Sequence, residues 1–212
     1  MRSEVIKQIE QNKIIAIMRG VETDVAVRVA EALYKGGIKF VEITFNQSDK
    51  NSFTQTANAI KAIKTAMQGK MCVGAGTVIT VEQLQLARDA GAEYIISPDT
   101  DEDIIKKTVE MGLVSIPGAY TATEVKKAHN AGADFVKLFP CASASYLKAL
   151  KAPLSHIRFL AVGGVDLTNA KDFIKAGASG IGVGSLLINK DWINAGKFDK
   201  ITETAIALIN QL

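Results

Sequence analysis

Two rhythms alternate along this chain. Short apolar runs such as Lys13-Ile14-Ile15-Ala16-Ile17-Met18 mark strands buried on both faces, and between them apolar residues recur at helical spacing. The pattern predicts strands at Lys13–Met18, Lys39–Thr44, Met71–Gly76, Tyr94–Ser97, Leu113–Ile116, Asp134–Pro140, Ile157–Val162 and Gly180–Gly184. It predicts helices at Thr23–Tyr34, 50–67, Thr80–Ala90, Asp101–Met111, Thr123–Asn130, 144–150, Leu167–Ala176 and 199–211. A short amphipathic helix, Ser3–Gln11, precedes them and gathers Val5, Ile6 and Ile9 on one side.

The punctuation is regular. A glycine closes a helix before a strand at Gly37, Gly91, Gly112, Gly132 and Gly177, preceded by a small residue at all but Gly112. The steps 91→112 and 112→132 are 21 and 20 residues, and 132→177 is 45, about two such steps. One strand, one helix and two loops fill each step, and that alternation implies parallel strands with helices outside. Eight units in 212 residues predict an α/β fold, one (β/α)8 TIM barrel over residues 1–212 with a short N-terminal helix. No linker or low-complexity segment divides it.

Composition narrows the function. Apolar residues make up 48% and charged residues 22%, which leaves ample core for one barrel. The net charge is +3 with its lysines scattered, so nucleic acid is not an expected partner. No apolar run approaches the ~18 residues of a membrane span. Two cysteines, Cys72 and Cys141, and no secretory signal fit a reducing, cytoplasmic compartment. The two histidines, His129 and His156, lie in no HxH or HExxH spacing, so neither a metal nor a Ser–His–Asp triad is expected.

Against that background two charged residues stand out. Lys137 interrupts the buried strand Phe135-Val136-Lys137-Leu138-Phe139, and Glu42 lies between Val41 and Ile43. Burial disfavours an ammonium and leaves a free amine, the form that Schiff-base chemistry requires. A strand alternates its faces, so Glu42 shares one with Phe40 and Thr44, and Lys137 shares one with Phe135 and Phe139, both pointing into the barrel. Two plainer readings stand beside this one: a lysine whose stem snorkels to solvent, and a structural ion pair. Active sites of such barrels lie at the C-terminal ends of the strands. Those positions here are Arg19, Glu42, Thr44, Thr77, Ser97, Pro117-Gly118, Lys137, Gly163-Gly164 and Gly184-Ser185. The glycines ending the last two strands suit a phosphate, whose oxygens need close backbone N–H groups and a helix N-terminus.

The segments Ile-Ile-Ala-Ile-Met-Arg-Gly (14–20), Val-Glu-Ile-Thr-Phe (41–45), Val-Gly-Ala-Gly-Thr-Val (73–78), Ile-Ser-Pro (96–98), Phe-Val-Lys-Leu-Phe-Pro (135–140) and Val-Gly-Gly-Val (162–165) resemble the 2-keto-3-deoxy-6-phosphogluconate (KDPG) and 4-hydroxy-2-oxoglutarate (KHG) aldolases. That family also contains 2-keto-3-deoxy-6-phosphogalactonate aldolases. The resemblance runs from the first strand to Gly184-Ser185 and implies a class I aldolase, free of metal and cofactor and assembled as a homotrimer. It implies that Lys137 forms a Schiff base with the C2 ketone of a 2-keto acid and that Glu42 moves protons. Arg19 and Thr77 would hold the carboxylate, Gly76, Pro98, Phe139 and Val162 would line the substrate, and Gly163, Gly164, Gly184 and Ser185 would take the phosphate. The implied substrate is 2-keto-3-deoxy-6-phosphogluconate, cleaved to pyruvate and glyceraldehyde 3-phosphate, together with 4-hydroxy-2-oxoglutarate, cleaved to pyruvate and glyoxylate; the alternative is the phosphogalactonate epimer.

Two departures bear on substrate choice. Asn46 stands where some members carry arginine, which leaves Arg19 to serve alone. Ala161-Val162 replaces the Pro-Thr of many gluconate-type members and is closer to the phosphogalactonate enzymes. Two other classes remain open. One is a phosphate-binding isomerase or epimerase with Glu42 as base and no covalent step. The other is a non-catalytic barrel that binds small acids.

Overall fold

Strand β1 (Ile14–Met18) runs parallel to β2 (Phe40–Thr44) on one side and to the last strand, β9 (Gly180–Val183), on the other. The computed structural model describes residues 2–212. Between those strands come β3 (Cys72–Gly76), β4 (Tyr94–Ile96), β5 (Val114–Ile116), β6 (Gly118–Ala119), β7 (Val136–Leu138) and β8 (Phe159–Val162). Their order in the sheet is β5-β4-β3-β2-β1-β9-β8-β7-β6, with every pair parallel. The outermost two, β5 and β6, are separated in sequence by Pro117 alone, so the sheet curls until its ends meet there. Proline has no N–H to give a ladder, and this divides the expected fifth strand into two short ones. The β7 segment bridges the break: Asp134 N–H donates to Ser115 O (3.0 Å), Lys137 N–H to Pro117 O (2.9 Å) and Phe139 N–H to Ala119 O (3.1 Å). The expected TIM-like α/β barrel is therefore present, with nine strand segments where eight were expected.

The two-residue period of the strands sorts the core into two shells. Inward side chains Ile15, Phe40, Cys72, Tyr94, Ile96, Val114, Ile116, Phe135, Leu160 and Val162 form the barrel interior. Outward ones, among them Ile14, Ala16, Met18, Val41, Ile43, Val73 and Ala75, meet the helices. Helix α1 (Arg2–Asn12) is not part of the outer ring. Its Val5 and Ile9 pack into the interior cluster and plug the N-terminal end of the barrel.

The outer helices are α2 (Thr23–Lys35), α3 (Phe53–Ala66), α4 (Val81–Asp89), α5 (Glu102–Glu110), α6 (Ala122–Asn130), α7 (Ala144–Lys151), α8 (Ala170–Lys175), α9 (Lys190–Asn194) and α10 (Phe198–Ile209). Gly91 (φ 94°) and Gly132 (φ 105°) turn the chain out of α4 and α6 in the left-handed region, as the glycine punctuation requires. Helix α8 begins later than the expected Leu167. The Asp166 carboxylate accepts from the Thr168 N–H and hydroxyl, and the Asn169 side chain binds the Asp166 N–H and Gly164 O, so this stretch is a side-chain-held turn. Helix α9 was not anticipated; Asn189 caps it by accepting from the N–H groups of Asp191 and Trp192. No helix among the described residues is long and apolar enough to cross a membrane.

Candidate active site

Glu42 occupies the middle of β2, points into the barrel and is 1% exposed. Its seat depends on a residue of the neighbouring strand. A Cβ at Gly76 would overlap the Glu42 carboxylate, so only glycine there leaves room for it. One step lower on β3 a Cβ at Gly74 would overlap the Tyr94 ring. The two glycines of Val73-Gly74-Ala75-Gly76 thus admit a ring and, directly above it, a carboxylate.

Lys137 is the central residue of β7 and 7% exposed, with Gly118 and Leu160 as its strand partners. Its Nζ lies 4.5 Å from the centroid of the Phe139 ring. Neither Lys137 nor Glu42 joins any ion pair formed among the described residues. Glu42 Oε2 is buried with no hydrogen-bond partner. Desolvation pushes the Glu42 carboxyl above its ordinary range, opposed by the positive charges of Lys137 and Arg19. Desolvation also pulls the Lys137 ammonium below its ordinary range, with Glu42 opposing and Arg19 assisting. In both groups burial outweighs mutual attraction. The result is an amine biased towards its nucleophilic form, close to a carboxyl able to give and take a proton.

Around this pair lies a polar rim. Arg19 follows β1, is exposed, and reaches Thr77 Oγ1 with Nη2 at 3.5 Å. Thr77 follows β3 in the left-handed region, with φ of 56°. A β-branched residue held there costs about 1–3 kcal/mol and persists only where neighbours fix it. Pro98 lies against β6, because a Cβ on Gly118 would overlap its carbonyl. Phe139 is 38% exposed at the mouth. Val162, buried at the end of β8, faces the interior over Gly182, where a Cβ would come within 2.7 Å of its Cγ2.

The glycine turns follow. Gly163 and Gly164 have φ of 109° and 67°, and Gly184 is followed by an exposed Ser185. Cys141 N–H donates to Val162 O (2.8 Å), which ties the exit of β7 to the double glycine. The helix N-terminus expected beside the double glycine is absent, since α8 starts only at Ala170.

Three comparisons address this arrangement together. The family described as "KDPG and KHG aldolase" matches residues 5–204. The chain belongs to this aldolase family. It is 38% identical to the 2-dehydro-3-deoxy-6-phosphogalactonate aldolase of Escherichia coli strain K12, over 81% of this chain and 82% of that one. It is 34% identical to the KHG/KDPG aldolase of the same organism, over 85% and 83%. A solved structure described as "Native KDPGal structure" superposes with a TM-score of 0.83 at 34% identity, over 93% of each chain. This protein is therefore an aldolase, a lyase.

Not every rim position of the aldolase faces the mouth as expected. Ser97 is buried and its hydroxyl donates to Val78 O (2.7 Å), a structural bond. Thr44 Oγ1 donates to Met18 O at 3.4 Å, and Thr44 lines, with Arg19 and Asn46, a side cleft of about 400 Å³ between the ends of β1 and β2. Asn46 is exposed, and its Oδ1 accepts from Ser48 N–H (3.1 Å) within a turn. Sequence reasoning missed Gln47, Gln83 and Tyr94. Gln83 carried a readable signal, a polar residue on the buried face of an amphipathic helix.

Proposed function

We propose that this aldolase works through a Schiff base on Lys137, with Glu42 as its proton carrier. The observation that carries the reading is the buried, unpaired Lys137–Glu42 couple at the C-terminal end of an otherwise apolar barrel. Neutral Lys137 attacks C2 of the keto acid, and the carbinolamine takes up a proton and loses water to leave an iminium that draws in electrons. Glu42 takes the C4 hydroxyl proton as the C3–C4 bond breaks and its electron pair moves into the enamine. The aldehyde departs, Glu42 returns a proton to C3, and hydrolysis frees pyruvate and the amine. Arg19 and Thr77 hold the substrate carboxylate, and Pro98 and Phe139 border the amine. Gly76 seats the base, and the backbone of Gly163, Gly164 and Gly184 with the Ser185 hydroxyl receives the phosphate. Borohydride with pyruvate should leave one reduced adduct on Lys137; an adduct elsewhere, or none, refutes the covalent step.

The substrates in this reading are 2-keto-3-deoxy-6-phospho sugar acids, cleaved to pyruvate and glyceraldehyde 3-phosphate. Both C4 epimers are accepted, the phosphogalactonate one at least as well as the phosphogluconate one. Two observations support this: relatives named for both lie at similar identity, and Val162 offers no hydrogen bond to a C4 hydroxyl. Pyruvate release from each epimer and from 4-hydroxy-2-oxoglutarate, coupled to lactate dehydrogenase, tests it. A strict preference for the gluconate epimer would overturn it. A homotrimer is part of the proposal, supported by Ile79, Val81 and Tyr120, which are large apolar residues exposed at the catalytic end. Light scattering that returns the monomer mass would exclude it.

A further inference from the structure

Behind Thr77 lies a pair of glutamines that the proposed mechanism does not use. Gln83 is fully buried on α4, and both ends of its amide are bonded. Its Oε1 accepts from Ile79 N–H (2.9 Å), and its Nε2 donates to Gln47 Oε1 (2.8 Å). Gln47 Nε2 in turn donates to the Thr77 carbonyl (2.6 Å). The residues on either side are held as firmly. Phe45 N–H donates to Gly76 O (2.9 Å), Val78 N–H to Ile96 O (3.2 Å), and the Ser97 hydroxyl to Val78 O (2.7 Å). Each residue from Gly76 to Ile79 therefore has a backbone polar group fixed by a partner from outside the segment. That explains how a threonine stays at φ 56°, where its hydroxyl faces the Arg19 guanidinium.

We propose that Gln47 and Gln83 are positioning residues, which fix the Thr77 backbone so that its hydroxyl and Arg19 form one clamp for the keto-acid carboxylate. The inference rests on the reading of Arg19 and Thr77 given above. Gln47 acts through Thr77, since both ends of its amide are taken up within the protein. A clamp fixed in advance has little to order when the substrate arrives. Loosening it should weaken binding and leave the chemical step alone, which separates this role from general support of the fold.

The test is a double-mutant cycle on kcat, KM and the concentration of pyruvate that half-saturates borohydride trapping. Gln47→Ala should raise KM and the pyruvate value about tenfold, the usual worth of one hydrogen bond, with kcat within about twofold. Gln83→Leu should do the same, and because Gln47 is exposed its variant folds even if the buried substitution does not. Thr77→Val should show a similar loss, and adding Gln47→Ala to it should change little, since the glutamine acts only through the hydroxyl it places. An unchanged KM in Gln47→Ala beside an impaired Thr77→Val would overturn the positioning role. Losses that multiply in the double variant would overturn it too, by showing that Gln47 acts independently. An unchanged KM in Thr77→Val would instead remove the carboxylate reading of Thr77, and this inference with it.

Discussion

Replacing Gly76 with alanine should damage the reaction far more than the fold. The new Cβ would overlap Oε1, Cδ and Cγ of Glu42, so one of the two must move. Gly76 pairs with Thr44 on β2 and Ile96 on β4, and ladder bonds on both sides hold its backbone. The Glu42 side chain is the softer partner and swings away. Forcing an extra methyl into a filled interior costs about 1–3 kcal/mol, and a flexible neighbour puts this case at the low end. Near 1 kcal/mol, a chain of this size loses roughly 2–4 °C in Tm. Turnover should fall much further, by roughly 10²–10⁴-fold, because a displaced carboxylate no longer reaches the proton it must carry. Lys137 is untouched and should still trap pyruvate. Gly74→Ala serves as the control: its Cβ would strike the rigid, fully buried Tyr94 ring, so there the larger loss should be in Tm. Pyruvate release, borohydride trapping and thermal melts on both variants decide the matter. Wild-type turnover in Gly76→Ala would refute the idea that the reaction needs Glu42 in this seat.

Glu42→Gln keeps the shape and should preserve the pyruvate adduct while cutting turnover roughly 10²–10⁴-fold; unchanged turnover would assign the proton to another group, with Thr44 or a water as candidates. EDTA should leave turnover intact, because among the described residues no three His, Cys, Asp or Glu side chains converge to hold a metal; a loss restored by zinc or manganese would mean a different aldolase class. Val162→Thr should shift kcat/KM towards the gluconate epimer by about tenfold, one hydrogen bond to a hydroxyl; an unchanged ratio would show that position 162 does not read C4. The Lys137 pKa is lowered by burial, so the folded state resists a proton that the unfolded chain binds up to about pH 10.5. That penalty is full below the folded pKa and vanishes above the unfolded one. In a Glu42→Gln background, Lys137→Met should therefore raise Tm most at acid and neutral pH and least near pH 10.5. A gap that does not narrow with pH would show that burial does not disfavour this ammonium.

The barrel was legible because its signals are local. Continuous apolar runs and a glycine closing each helix need no knowledge of what lies alongside. Lys137 and Glu42 were legible for the same reason, as charges in the wrong company. What stayed hidden depends on register between strands. The resemblance put Gly76 beside the substrate, and the structure adds that Gly74 and Gly76 leave the space that Tyr94 and Glu42, from the strands on either side, occupy. No periodicity places Glu42 beside residue 76. The Pro117 break escaped for a related reason: a proline next to a strand reads as its end, and only the bonds from β7 show the ladder resuming at Gly118. Gln47 belongs to a loop whose sequence carries no rhythm, and its role appears only through Gln83 and Thr77.

Lys137 and Glu42 form no ion pair with each other, which suits the order of steps in the proposed mechanism. A close ion pair would keep the amine charged and the carboxyl committed, which is wrong for attack on a ketone. Burial instead favours the neutral form of each. Once Lys137 condenses with the ketone, its nitrogen becomes a cationic iminium that no deprotonation can relieve. Lys137 already lowers the Glu42 pKa when charged, and the iminium puts a fixed charge in the same place. In the proposed mechanism that charge favours the carboxylate form of Glu42 when the C4 proton has to be removed. Bond cleavage then converts the iminium to a neutral enamine, and the Glu42 pKa rises again. The carboxyl becomes an acid as C3 needs its proton. One buried carboxyl can thus serve as base and acid in turn, switched by the charge on the nitrogen beside it.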